Sequence, residues 1–201
     1  MLRYDRATAL IVVDVQNDFA DPAGSLSVAG GESVIPRING ELAVATNADG
    51  VVVCTQDWHP ESTPHFAKDG GIWPVHCLAG TWGAQLHPDL DVPDGVDRVR
   101  KGANGEDGYS GFTMRDPVTG VESPTELDGI LRGGGVRRVV VAGLATDYCV
   151  KATALDATRL GYETFLLTDA IAAVDLARGD GARALDEMAA AGVRMWQTRM
   201  R

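Results

Sequence analysis

The sequence predicts a three-layer α/β/α fold around a largely parallel, six-stranded sheet. Short apolar runs without polar alternation, such as ALIVV at Ala9–Val13 and VVVA at Val139–Ala142, suit strands buried on both faces. Helix-period segments stand between such runs, the alternation expected of parallel strands joined by crossover helices. Neither a glycine-rich dinucleotide fingerprint after the first run nor a phosphate-binding P-loop motif is found, so no nucleotide cofactor is expected.

The first run ends at Asp14 in the string DVQNDF, and 22–31, rich in glycine, serine and alanine, reads as a loop. A helix is expected over Glu32–Thr46, with Pro36 near its first turn, where a missing N–H is tolerated. Val51–Cys54 forms the next strand and leads into Gln56, Asp57, Trp58 and His59; Cys54 reads as core packing. From Pro60 to Gly95 prolines and glycines are frequent and periodicity is weak, and a connection of that length points to function. Val96–Val99 resumes strand character and runs into Arg100, Lys101 and Gly102. A glycine-rich loop to Phe112 follows, then a short helix over Pro124–Leu131, closed by Gly133, Gly134 and Gly135.

Val136–Tyr162 reads as strand, tight turn at Gly143, and helix, with Thr146 or Asp147 as N-cap and Gly161 past its end. Cys149 falls in the first helical turn, where unpaired N–H groups favour a thiolate. A small buried hydrophobe is the alternative for a free cysteine. Thr164–Leu167 and Val193–Trp196 supply the last strands, and Ala182, Leu185, Met188 and Ala189 mark an amphipathic helix between them.

A length of 201 residues suits one domain, 1–201, with a substantial core. Hydrophobic residues make up 45% and charged residues 23%, an ordinary globular mix that argues against disorder. The net charge of −10 disfavours nucleic acid and anionic membrane as partners. No run reaches membrane-span length and the start lacks a signal-peptide cleavage pattern, so a cytoplasmic location is expected. Three cysteines far apart fit reduced thiols better than a disulfide framework.

In an open parallel sheet, ligands bind beyond the carboxyl ends of the strands. Asp14, Asp57, Lys101 and Cys149 all map to that edge. Singly, each could be a surface charge or a cap; together they suggest a site. The second constellation is Asp57-x-His59 with His65 and His76. Strand periodicity points Asp57 and His59 the same way, and carboxylate plus imidazole ligands suit a divalent ion such as zinc, iron or manganese. Cys77, beside His76, is assigned to packing, and His87 is taken as structural or exposed.

The strings DVQNDF, QDWHPESTPHF, WPVHC, KG at Lys101, YSGF at Tyr109 and GLATDYCV together resemble nicotinamidases of the isochorismatase-like cysteine hydrolases, in the family's order and over essentially the whole chain. The resemblance implies a metal-dependent amidase that converts nicotinamide to nicotinate and ammonia, and pyrazinamide to pyrazinoate. It implies Asp14, Lys101 and Cys149 as the catalytic triad, with backbone N–H groups of Ala145 and Cys149 facing the oxyanion. Asp57, His59 and His76 would hold one divalent ion, with His65 an additional ligand in some members. Phe19, Trp73 and Tyr109 would wall the substrate ring, with Leu144 beside it, and Leu144–Ala145 matches a cis peptide bond. Tyr148 stands where the family often has histidine. The implied partner is a small pyridine or pyrazine carboxamide; homo-oligomerisation is left open. Alternatives are another small amide or carbamoyl substrate and a non-catalytic metal- or ligand-binding homologue. Isochorismate itself is disfavoured, since that branch needs no such metal loop.

Overall fold

A computed structural model describes residues 2–197. Its strands are β1 (Thr8–Val13), β2 (Val51–Asp57), β3 (Asp97–Lys101), β4 (Thr113–Arg115), β5 (Glu122–Pro124), β6 (Arg138–Leu144), β7 (Glu163–Ala172) and β8 (Arg194–Trp196). The helices are α1 (Asn17–Ala20), α2 (Ile35–Asn47), α3 (Leu127–Gly133), α4 (Lys151–Arg159) and α5 (Asp180–Ala190). Six strands form one sheet in the order β3-β2-β1-β6-β7-β8, and every pairing in it is parallel. Among the described residues, no helix is long and apolar enough to cross a membrane.

Strand alternation divides the core into two layers. Leu10 and Val12 face the side covered by α2, where Ile35, Ile38 and Leu42 are buried. Ala9, Ile11 and Val13 face the other side, packed with Leu127 and Leu131 of α3, Ala154 and Ala157 of α4, and Met188 of α5. The central strands are inaccessible from both sides, which is why their sequences lack polar alternation.

The structure departs from the sequence expectations at short elements. Helix α1, which begins within DVQNDF, spans a single turn and leaves no periodic signal. The hairpin β4–β5 pairs Thr113 with Pro124 and Met114 with Ser123, in a segment to which the sequence reading assigned no strand. Pro124 thus belongs to a strand, and the helix expected from it starts at Leu127. Thr125 separates the two: its hydroxyl donates to the Gly111 carbonyl (2.6 Å) and accepts the Leu127 N–H (3.1 Å). Cys149 lies in a π-helical turn, Thr146–Val150, which precedes α4. Neither Thr146 nor Asp147 caps that turn through its side chain; Asp147 instead accepts the N–H groups of Val174 (3.0 Å) and Asp175 (2.8 Å).

Gly143 carries the close packing of β6 on β1. Its φ is +116°, and an added Cβ would lie 2.1 Å from the Val13 carbonyl oxygen. Gly143→Ala is therefore expected to lower unfolding free energy by about 3 kcal/mol or more in denaturant titration. An unchanged midpoint would contradict this account of the β1–β6 contact.

Candidate active site

The carboxyl ends of β1, β2 and β3 deliver Asp14, Asp57 and Lys101 to one place, and the turn after β6 adds Cys149. All four are buried. The Lys101 ammonium lies 2.8 Å from Asp14 Oδ2, 2.7 Å from Asp57 Oδ1 and 3.5 Å from Cys149 Sγ. It also donates to the Tyr109 carbonyl at 3.3 Å. Asp14 leaves its strand in the left-handed region (φ 49°), uncommon for a residue with a side chain. The Thr55 hydroxyl holds its other oxygen, donating at 2.6 Å to Oδ1.

Electrostatics assign these groups different protonation behaviour. Burial raises the Asp14 carboxyl above its usual range against the pull of Lys101. Burial acts on Asp57 too, but Lys101 and His59 outweigh it and hold that carboxylate well below the usual range. Burial alone would discharge Lys101; its two carboxylate neighbours keep it a cation. The Cys149 thiol is pushed well up by burial, opposed by Lys101 and reinforced by the two carboxylates. Burial and the two facing carboxylates thus work against a thiolate at Cys149, opposing the pull expected from the helix start.

Next to this cluster, donor atoms of His59, His65 and His76 all lie within 4.8 Å of one another. Asp57 Oδ2 stands 3.8 Å from Nε2 of both His59 and His76. Two of the rings have one nitrogen engaged from behind. His76 Nδ1 is 2.8 Å from the Pro74 carbonyl, which only accepts, so this nitrogen carries the hydrogen and Nε2 keeps its lone pair. His65 Nδ1 lies 3.0 Å from Asp107 Oδ1, and that contact holds the Asp107 carboxyl well below the usual range. Both nitrogens of the buried His59 lack a hydrogen-bond partner. Orphaned buried polar atoms beside a carboxylate and two oriented imidazoles fit a divalent cation, with Asp107 and Pro74 as outer supports. Gly102 lets this happen: a Cβ there would strike His59 Nδ1 at 2.7 Å.

A cavity lined by Phe19, Trp73, Tyr109, Leu144, Tyr148 and Cys149 connects the two clusters. Tyr148 meets Trp73 edge-on (centroids 4.9 Å apart) and Tyr109 at 5.2 Å, while Trp73 Nε1 donates to the Tyr109 hydroxyl at 3.1 Å. Phe19, Trp73 and Tyr109 all line this cavity, and so does Tyr148. Leu144–Ala145 is a cis peptide bond, directly before the turn that carries Cys149. Cys54 and Cys77 are buried thiols raised by desolvation, Cys54 to about 12. His87 is buried, and its Nδ1 accepts the Asp89 N–H. Sequence reasoning missed Thr55, Asp107, Gln16 and Asp18. For the last two no side-chain pattern gave a signal, because their partners are backbone groups of Asp57 and Cys77.

The isochorismatase domain matches residues 8–199. The chain belongs to that family. Among curated relatives, a nicotinamidase of Acinetobacter baylyi is 39% identical over 95% of this chain and 92% of its own length. A solved pyrazinamidase of Pyrococcus horikoshii in complex with zinc superposes with a TM-score of 0.86 at 40% identity, covering 96% of this chain and 99% of the other. A PnC1 structure from L. infantum in complex with nicotinate gives 0.85 at 38% identity, covering 98% and 96%. The family assignment agrees with the all-parallel sheet and with the placement of Asp14, Asp57, Lys101 and Cys149 at its carboxyl edge.

Titration of His76 should be visible in the metal-free protein. Burial lowers its pKa from the usual 6.5 to about 4. Between those values the unfolded ring binds a proton that the folded ring does not, so stability falls as pH falls through that window, by up to about 3 kcal/mol. Unfolding curves at several pH values should show this slope in the wild type and a shallower one in His76→Gln. Parallel slopes would remove the assignment.

Proposed function

We propose that this protein is a metal-dependent nicotinamidase, hydrolysing nicotinamide to nicotinate and ammonia, and pyrazinamide to pyrazinoate. The observation that carries the reading is the aromatic-lined cavity that reaches both the Cys149 thiol and the imidazole–carboxylate cluster. A planar ring carrying a carboxamide spans that arrangement. The similarity to a zinc-bound pyrazinamidase and a nicotinate-bound relative supports the same substrate class and zinc as the metal. Its three free thiols suit the reducing cytoplasm, where we place the enzyme.

Asp14, Lys101 and Cys149 act as the catalytic set. The Cys149 proton passes to Asp14, whose raised pKa makes it a competent base, as sulfur attacks the carboxamide carbon. The tetrahedral oxyanion is received by backbone N–H groups of Ala145 and Cys149. Asp14 returns the proton to the departing amine, leaving a thioester on Cys149; water, deprotonated by Asp14, then releases the acid and regenerates the thiol. Lys101 keeps its charge throughout, stabilising the ionised states of Asp14 and of the sulfur. Asp57, His59, His65 and His76 hold the ion, which when bound supplies a Lewis-acid anchor for a ring nitrogen. Phe19, Trp73, Tyr109, Leu144 and Tyr148 confine the ring.

Ammonia release from nicotinamide by zinc-loaded protein tests the reading. Cys149→Ala is expected to reduce the rate by about 10⁴-fold or more. Inactivity of the loaded wild type, or full activity of the variant, would refute it. Loss of the Tyr148 ring contacts in Tyr148→Ala is expected to raise KM roughly 3- to 10-fold with little change in kcat. An unchanged KM would take Tyr148 out of the substrate wall.

A further inference from the structure

We infer that Gln16 and Asp18 are positioning residues that hold the two halves of the metal site at the distance a shared ion needs. This rests on the metal reading above and extends it to residues that touch neither ion nor substrate.

Both side chains are buried, and both engage backbone rather than solvent. Gln16 reads Asp57 from both sides of its peptide: Nε2 donates to the Asp57 carbonyl at 2.7 Å and Oε1 accepts the Asp57 N–H at 2.8 Å. The same Nε2 donates to the Ala84 carbonyl at 2.9 Å. In effect the amide side chain continues the hydrogen bonding of a strand past the end of β2, where the carboxylate ligand sits. Asp18 does the corresponding work on the loop. Its Oδ2 accepts the Cys77 N–H at 2.7 Å and its Oδ1 the Ser25 N–H at 3.0 Å. Cys77 adjoins His76 and has φ +46°, a left-handed conformation disfavoured for a residue with a Cβ. Its carbonyl in turn accepts the His59 N–H at 2.9 Å. A relay from Asp18 through the Cys77 peptide thus sets the backbone of both His59 and His76.

The ligands come from β2 and from a long loop with little regular structure, so nothing in the sheet fixes their separation. One six-residue segment does. Asp14 enters the reaction centre, and the next two alternate positions, Gln16 and Asp18, grip opposite sides of the metal cluster. Outer partners of metal ligands typically set affinity by roughly 10- to 100-fold.

Zinc affinity, measured by competition with a chromophoric chelator, tests the inference in Gln16→Met, Asp18→Asn and Gly83→Ala. The third reaches Asp18 indirectly, since a Cβ at Gly83 would lie 2.0 Å from Asp18 Oδ2. A folding defect in one variant therefore leaves the others to decide. We expect zinc binding about 10-fold weaker or more in each, a smaller zinc-induced rise in Tm than in the wild type, and recovery of nicotinamide turnover at saturating zinc. A merely structural role would lower the metal-free Tm but leave the zinc-induced increment intact. Wild-type zinc affinity in all three, alongside weakened binding in His59→Ala, would overturn this inference alone. Wild-type affinity in His59→Ala would overturn the metal reading and this inference with it.

Discussion

A single buried ammonium organises this molecule. Lys101 lies between two carboxylates in a space closed to water, and each of the three groups is tolerable there only because of the others. Removing one would leave uncompensated charge in the core. The arrangement also gives the two carboxylates opposite characters. Asp57 shares its charge with Lys101 and faces imidazoles, so it stays ionised; Asp14, fully buried and facing the charge of Asp57, is poised to accept a proton. Two residues of one type thereby take different parts in one site, separated by environment rather than by chemistry.

The sheet makes this cluster possible. Parallel strands bring their carboxyl ends to one edge, and β1, one of the four that contribute, lies directly beside β2 and β6. Asp14 can therefore meet Thr55 from one neighbour and the Cys149 turn from the other. The aromatic cavity forms above this edge from loops, where side chains can be exchanged without disturbing the strands.

Much of this was legible in the sequence because the relevant rules are local. Unbroken apolar runs announce central strands, and a polar residue at the end of such a run lies at the ligand edge of an α/β sheet. Asp14, Asp57 and Lys101 follow from that reasoning. The hairpin β4–β5 and the single turn of α1 do not, since three or four residues carry no period. The upward push on the Cys149 thiol escaped for another reason: a helix start is visible in sequence, whereas desolvation and two facing carboxylates are products of the tertiary fold. Gln16 and Asp18 belong to the same class. Their partners are peptide groups of Asp57 and Cys77, 41 and 59 residues away in the chain, and no side-chain pattern encodes a backbone partner.

The ring cage of Trp73, Tyr109 and Tyr148 is assembled from three separate segments and closed by one hydrogen bond between two of its members. Its geometry is therefore adjustable independently of the reacting groups beneath it. Divergence toward bulkier or non-aromatic amides can proceed by exchanging these three side chains while Lys101 and its carboxylates stay untouched. In evolutionary terms, the lysine–carboxylate cluster is tied to the sheet edge, while the cage above it is free to vary.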